Sequence, residues 1–272
     1  MALAVPTSLS PSKVSSFRDC ALAFRFSAID RLPEPPTVPA AKGTVVHRAL
    51  ELLHCLPNAD RTPAAAQECL VQAMDDVLSS DEYAPLALAA EQREAFHAEA
   101  AELVRRYFGI EDPRTIDAIG MELKLEAEVG GVVLRGIIDR LELGHDGELV
   151  VTDYKTGRVP SERFEQGRLG GVHFYAYLCE AVLGRRPAKV QLLYLAKPVA
   201  IVAEPSDQSI RGLQKKVGAI WSAVERACER EDFRPNPGRL CDWCSFKAHC
   251  PAFGGELPAV AVQPPQPQLL SA

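Results

Sequence analysis

The sequence of 272 residues lacks any run close to the roughly 18 consecutive apolar residues that a membrane-spanning helix needs. Its first residues, MALAVPTSLSPSK, lack the basic segment followed by an apolar one that a secretory signal requires. The sequence also contains no helicase P-loop and no dinucleotide-binding glycine fingerprint. We therefore expect a cytoplasmic protein with no membrane partner, no ATP-driven motor of its own and no nicotinamide or flavin redox domain.

The charge balance is acidic, because 36 Asp and Glu residues face 30 Lys and Arg residues and give a net charge of −6. This charge argues against a broad nucleic-acid-binding surface, although it is compatible with a local basic groove and with a cation site made of carboxylates. Hydrophobic residues make up 47% of the chain, enough for the core of one large domain or two small ones. Eight cysteines in a cytosolic chain are expected to stay reduced, so a cysteine cluster would indicate a metal site or catalysis.

Hydrophobic periodicity predicts the order helix, strand, helix, strand, helix, which is an α/β (α+β) fold. The first third is predicted to be helical, with a turn and then a short helix within 8–26, helices at 43–56, 64–80 and 88–109, and a proline-rich loop at 31–43. Strands of an antiparallel meander follow, as far as the segment VVTDYKTG. The predicted remainder is a helix at 171–184, strands at 188–196 and 199–205, a helix at 209–231 and a disordered tail beyond Pro258.

Two acidic residues are predicted to face each other across a hairpin. If GIIDRLEL and ELVVTDYK pair around the turn GHDG, the numbers of cross-strand partners sum to about 292. Asp139 then lies opposite Asp153, with Cβ atoms roughly 4.5 to 5.5 Å apart, and Lys155 lies on the same face. Two facing carboxylates with a nearby lysine suit Mg²⁺ or Mn²⁺ and the hydrolysis of a phosphodiester. The alternative is a surface salt bridge between Asp153 and Lys155, with Asp139 paired to Arg135 or Arg140.

Four segments together indicate a family: KGTVVHRALE, GIIDRLEL, VVTDYKTG and CDWCSFKAHCP. In this order they resemble the RecB-type nucleases of the PD-(D/E)XK superfamily, in the branch with a C-terminal cysteine cluster that binds [4Fe–4S], similar to CRISPR-associated iron–sulfur nucleases. The resemblance extends from about Ser10 to about Phe253. It implies a restriction-endonuclease-like core, with a mixed central sheet flanked by helices, behind a helical N-terminal portion.

The resemblance also implies a domain organisation and a set of site residues. One nuclease domain would span 1–257, with an iron–sulfur region at 10–30 and 238–253, a helical part at 43–110 and a core at 116–232, followed by the tail at 258–272. The implied ligands of Mg²⁺ or Mn²⁺ are His47, Asp139, Asp153 and the backbone carbonyl of Tyr154, and the implied catalytic lysine is Lys155.

Two candidates at this site have competing interpretations. By itself, His47 on an apolar helix face is typical of a packing residue, and His54, seven positions later, lies on nearly the same face. Glu122 precedes the hairpin and is a possible accessory residue of the site. However, Glu126 and Glu128 alternate with Glu122 and would equally mark a solvated face of the strand.

The sequence departs from the family pattern at one position. The family carries a glutamine four residues before a tyrosine in the helix that follows the D-x-K strand; Tyr175 fits the tyrosine, but Gly171 stands at the glutamine position. Gln166 could reach in from upstream, or His173 with Tyr177 could supply similar chemistry. The missing glutamine is compatible with an enzyme that is slower than its relatives or has an altered substrate.

Three cysteines near the C-terminus form a C-x2-C-x5-C pattern, followed by Pro251. The spacing permits a structural zinc site with Cys20 or His249 as the fourth ligand. The resemblance instead implies a structural [4Fe–4S] cluster on Cys20, Cys241, Cys244 and Cys250 that joins the N- and C-terminal segments. The other cysteines lie at apolar helical positions and are predicted to be buried: Cys55, Cys69, Cys179 and Cys228.

The expected function is a metal-dependent DNA exonuclease that prefers single-stranded DNA, in repair or recombination. Its expected partners are single-stranded DNA or DNA ends and a separate helicase, because the chain has no motor motif. Basic residues that follow the D-x-K strand are candidates for phosphate contacts: Arg158, Arg163 and Arg168. The alternative function is a catalytically weak DNA- or partner-binding module that retains the fold and the cluster.

Overall fold

The computed structural model describes residues 2–159 and 162–258, and it describes only the backbone of 162–170. The predicted disordered tail therefore lies, from residue 259 onward, outside the described residues, as does the side chain of Gln166. The described residues form a five-stranded mixed sheet in the spatial order β1-β2-β3-β4-β5. Its strands are β1 (Asp117–Val129), β2 (Val132–Leu143), β3 (Leu149–Lys155), β4 (Lys189–Tyr194) and β5 (Val199–Ala203).

Seven α-helices of the described residues precede, connect and follow these strands. They are α1 (Pro11–Asp19), α2 (Ala21–Phe24), α3 (Val38–Cys55), α4 (Pro63–Leu78), α5 (Ala90–Tyr107), α6 (Glu162–Leu183) and α7 (Asp207–Arg230). No helix within residues 2–159 and 162–258 combines the length and the apolar character needed to cross a membrane. The mixed sheet with flanking helices confirms the predicted fold class.

Three helix boundaries differ from the sequence prediction. Helix α3 begins inside the predicted loop, because Thr37 caps its first turn and Pro39 occupies an early position where a missing N–H costs nothing. Helix α6 begins at Glu162, nine residues before the predicted start. The short helix predicted within 8–26 is divided into α1 and α2 at Cys20, whose backbone is extended, with φ of −159°.

The first three strands form the predicted antiparallel meander. The two-residue turn between β1 and β2 is made by Gly130 and Gly131, whose φ angles of 56° and 82° are accessible to glycine at little cost. Strand β2 pairs with β3 from Leu143↔Leu149 to Arg140↔Thr152, so partner numbers sum to 292 and the predicted register is confirmed. Strand β4 then pairs parallel to β3 after α6, and β5 pairs antiparallel to β4.

Residue contacts divide the chain into two compact units. The larger unit, residues 7–11 and 36–219, contains the sheet, and its core includes Val46 and Leu50 of α3, Leu70 of α4, Val104 of α5 and Leu193 of β4. Among the described residues, the smaller unit comprises 2–6, 12–35 and 220–258. Within it the chain segments are hydrogen-bonded, for example from the Leu22 N–H to the Arg234 carbonyl at 3.3 Å.

Candidate active site

Three carboxylates lie in a row across the first three strands of the larger unit. The paired register of β2 and β3 ends at Arg140↔Thr152, and Asp139 and Asp153 are the next residues of the two strands. On the other side of β2, the pairs Met121↔Arg140 and Leu123↔Ile138 bracket the position at which Glu122 faces Asp139. We call Glu122, Asp139 and Asp153 the carboxylate row. Directly opposed like charges repel each other, so this arrangement favours a bound cation.

Helix α3 brings His47 to the carboxylate row. The His47 Nδ1 lies 3.4 Å from Asp139 Oδ2, and the imidazole packs edge-on against the Tyr154 ring at 5.9 Å between centroids. Burial alone lowers the pKa of His47, but the hydrogen bond and the negative charge of Asp139 outweigh it, so the pKa is raised. Gly43, one turn before, allows this approach because a Cβ there would lie 3.3 Å from the Thr156 hydroxyl at the end of β3.

The competing histidine, His54, lies in a different environment. Its Nε2 is 2.8 Å from the Tyr107 hydroxyl, and its side chain is buried. Burial, followed by the positive charges of Arg140 and Arg61, lowers the pKa of His54 to about 3, so the ring is neutral at physiological pH. His47 is therefore the histidine of the candidate site, and His54 belongs to a structural network.

Asp153 is buried and contacts two other side chains of the site. Lys155 forms an ion pair with its Oδ2, and the Tyr175 hydroxyl donates to its Oδ1 at 3.4 Å. Burial raises the pKa of Asp153, as does the charge of Asp139, whereas Lys155 partly offsets the rise. Helix α6 packs closely on β2 because Gly136 has no side chain: a Cβ there would lie 2.8 Å from the Leu178 side chain and 3.2 Å from the Tyr175 ring.

Asp139 is held by the backbone of the neighbouring strand. The Tyr154 N–H donates to Asp139 Oδ2 at 2.7 Å, which fixes the carboxylate beside His47. The role predicted for the Tyr154 carbonyl as a metal ligand stays a prediction. The alternative pairing of Asp139 with an arginine is not found, because Arg135 pairs with Glu126 and Arg140 pairs with Glu111 and Glu142.

Glu122 is closer to this site than its sequence position indicated. Ligand atoms of His47, Glu122 and Asp139 all lie within 4.8 Å of one another. Burial and then the charge of Asp139 raise the pKa of Glu122 to about 7, although His47 opposes the shift. Glu126 and Glu128 are exposed, so the three acidic residues of β1 are not equivalent.

The sequence interpretation missed the buried polar network beneath the site. Arg140 is fully buried and forms an ion pair with Glu111, and it donates to the hydroxyls of Tyr154 at 2.8 Å and Thr152 at 3.1 Å. The network ties β2, β3 and the segment after α5 together directly behind the carboxylate row. The only signal in the sequence was an arginine inside the apolar segment GIIDRLEL, where an unpaired charge would be costly.

A family model described as the PD-(D/E)XK nuclease superfamily matches residues 8–251, a range that includes every side chain of the candidate site. The chain belongs to the PD-(D/E)XK nuclease superfamily. It is similar in fold to the crystal structure of an exonuclease-like protein from Eubacterium rectale, with a TM-score of 0.57 and 13% identity over 88% of this chain and 87% of that one.

Two phage proteins are similar to this PD-(D/E)XK nuclease in sequence. The gene 69 protein of Mycobacterium phage L5 is 28% identical over 136 residues, which are 49% of this chain and 44% of that protein. The gene 69 protein of Mycobacterium phage D29 is 27% identical over 136 residues, 49% of this chain and 48% of that protein. The chain thus spans about half the length of these relatives.

The smaller unit of the nuclease brings four distant cysteines to one pocket. Its walls include Cys20, Cys241, Cys244 and Cys250. Burial and then the proximity of the other three thiols raise the pKa of Cys244. The Gly238 N–H lies 3.3 Å from Cys241 Sγ and donates to it. We call this the cysteine pocket.

The remaining cysteines and His249 lie in other environments. Cys69, Cys179 and Cys228 are buried, as predicted, but Cys55 is exposed because it ends α3 on the solvent side. The ring of His249 packs edge-on against Phe26 at 6.2 Å between centroids.

Proposed function

We propose that this chain is a divalent-metal-dependent deoxyribonuclease that acts as an exonuclease, preferentially on single-stranded DNA, in repair or recombination. The observation that carries the proposal is the convergence of Asp139, Asp153 and Lys155 with His47 at adjacent strand positions. These residues fit Mg²⁺ or Mn²⁺, because carboxylate oxygens are the ligands that such ions prefer and the facing charges need a cation. Membership of the nuclease superfamily supports the same chemistry.

The contacts of each side chain in the site indicate its role in the proposed reaction. His47 and Asp139 would hold the ion, with the Asp139 carboxylate kept in place by the Tyr154 N–H. A bound divalent ion lowers the pKa of a water and neutralises charge on a phosphate. Lys155 is directed by Asp153 and would stabilise negative charge on the attacked phosphate, while Tyr175 holds the other oxygen of Asp153.

Two observations bear on the exonuclease mode and the DNA substrate. The fold is similar to that of the exonuclease-like protein of Eubacterium rectale, at 13% identity. Arg158 is exposed just after the catalytic strand and is available to a phosphate, whereas the side chains of Arg163 and Arg168 lie outside the described residues. A separate helicase would provide single strands.

We further propose a structural [4Fe–4S] cluster in the cysteine pocket. The pocket brings Cys20 of the N-terminal segment together with Cys241, Cys244 and Cys250 of the C-terminal segment. Four thiolates are the ligand set that a [4Fe–4S] cluster takes. A structural zinc ion bound by the same thiolates is the alternative.

The test is digestion of end-labelled single- and double-stranded DNA by protein purified without oxygen, with Mg²⁺, Mn²⁺ or a chelator. The wild type is compared with Lys155→Ala, and with Lys189→Ala as a control, because Lys189 lies at the other end of β4 from the residue paired with Lys155. Metal-dependent digestion that is lost only in Lys155→Ala supports the nuclease, and the labelled products give its polarity. Intact DNA under every condition, with folded protein, would favour the DNA-binding alternative and direct attention to Gly171.

A further inference from the structure

The position of Glu122 in the sheet brings its carboxylate close to His47 and Asp139. It lies on β1 across from Asp139, on the side of β2 opposite Asp153. Its carboxylate lies within 4.8 Å of the ligand atoms of both His47 and Asp139. Two oxygens bound to one ion at about 2.1 Å are at most about 4.2 Å apart, so a small side-chain movement would let one ion bind all three groups.

The backbone at Glu122 is unusual for a strand. Of the four non-glycine residues with positive φ in the described part of the chain, Glu122, with φ of 47°, is the one inside a strand. The pairs on either side of Glu122 keep the same register, and a separate register shift of β1 lies between Ala118 and Gly120. A left-handed glutamate costs conformational energy, and such residues are concentrated at functional sites.

The formal charges support one divalent ion at this position. With His47 neutral, as a metal ligand must be, the three carboxylates of the row and the ammonium of Lys155 have a formal charge of −2. Two of these carboxylates, those of Asp139 and Asp153, are buried, and buried charges are stable only when they are compensated. One Mg²⁺ or Mn²⁺ brings the formal charge of the group to zero.

We propose that Glu122 is a direct ligand of the catalytic divalent cation, so that three adjacent strands each contribute a carboxylate to the site. This inference rests on the proposed metal-dependent function and adds a residue to it. The distorted strand turns the Glu122 carboxylate towards His47 and Asp139, whereas Glu126 and Glu128 of the same strand are exposed. The site therefore has more negative charge than Asp139 and Asp153 alone provide.

The test measures Mn²⁺ binding without DNA, by calorimetry and by the electron paramagnetic resonance signal of free Mn²⁺. Glu122→Gln removes the charge and keeps the shape, while Glu122→Gly removes the ligand and suits the left-handed backbone. Glu128→Gln removes the same charge from an exposed position of the same strand and is the control. We expect both Glu122 variants to bind Mn²⁺ at least about tenfold more weakly than the wild type and Glu128→Gln to match it.

The outcomes separate this inference from the proposed function. Tight Mn²⁺ binding by the wild type and equally by Glu122→Gly would overturn the role of Glu122 and leave the nuclease proposal intact. No Mn²⁺ binding by the folded wild type would overturn both. Because Glu122→Gly relieves a strained backbone, its melting temperature without metal should equal or exceed that of Glu122→Gln, which shows that weaker binding does not come from unfolding.

Discussion

The carboxylate of Glu122 is expected to destabilise the metal-free protein at alkaline pH. Its pKa of about 7 in the folded chain lies above the value of 4.5 for an unperturbed glutamate, because burial and Asp139 disfavour its charge. The folded state therefore binds a proton more readily than the unfolded state. The cost of ionising Glu122 is absent below pH 4.5, grows as pH rises and is complete above pH 7.

The size of the effect follows from the shift. The difference between the folded and unfolded pKa of Glu122 corresponds to about 3 kcal/mol in the free energy of unfolding. Solvent screening of this half-buried group reduces the effect to about 1–2 kcal/mol. Glu122→Gln removes the ionisation. In the absence of divalent metal, we expect this variant to be more stable than the wild type by about 1–2 kcal/mol at pH 8, and equally stable near pH 4.5.

The assay is urea unfolding at a series of pH values, with and without Mn²⁺. Binding to the folded state stabilises the protein, so Mn²⁺ should raise the free energy of unfolding of the wild type more than that of Glu122→Gln. At pH 8 with Mn²⁺, the wild type should therefore be the more stable of the two. If metal-free Glu122→Gln is no more stable than the metal-free wild type at pH 8, the reasoning about buried charge in the carboxylate row is refuted.

Four other substitutions test separate parts of the account. Gly136→Ala should cost about 1–3 kcal/mol in urea unfolding and slow DNA cleavage, because its Cβ would lie 2.8 Å from the Leu178 side chain and 3.2 Å from the Tyr175 ring. Arg140→Met should lower the free energy of unfolding by about 3–5 kcal/mol, because it leaves the half-buried carboxylates of Glu111 and Glu142 and the buried Tyr154 hydroxyl without their partner. A Cβ at Gly171 meets no atom within 4 Å, so urea unfolding should show Gly171→Gln equal to the wild type or more stable by about 0.5 kcal/mol, and its cleavage rate tests the missing glutamine. Cys244→Ser should lose bound iron and visible absorption and lower the melting temperature.

Matched substitutions at other positions serve as controls for these variants. Gly120→Ala has its nearest neighbour at 3.5 Å, so it should be tolerated, and equal damage from it would contradict the argument for Gly136. Arg114→Met removes an exposed arginine paired with Asp112 and should change stability by less than about 1 kcal/mol. Cys55→Ser changes an exposed thiol and should leave the iron content unchanged, whereas iron retained by Cys244→Ser would refute the cluster.

Much of the fold was predictable because it depends on periodic patterns. Alternating apolar residues located the strands, and one turn fixed the register that aligns Asp139 with Asp153. The start of α3 was missed because prolines usually end helices, whereas Pro39 lies in the first turn, where it is tolerated. The start of α6 was missed because glycines at 167, 170 and 171 weaken the helical pattern.

The parts of the site that the sequence did not predict depend on tertiary contacts. Glu122, Glu126 and Glu128 have the same spacing in sequence, and only the distortion of β1 and the proximity of His47 distinguish the first of them. Arg140 looks like a surface residue until Glu111, 29 positions earlier, is brought against it. Local spacing carries no information about such pairs.

The most direct test of the central claim is anomalous diffraction from crystals soaked in Mn²⁺. The account predicts one manganese peak within about 2.5 Å of His47, Asp139 and Glu122, beside Asp153 and Lys155. Saturating Mn²⁺ with no peak at the carboxylate row, in crystals of folded and active protein, would contradict it.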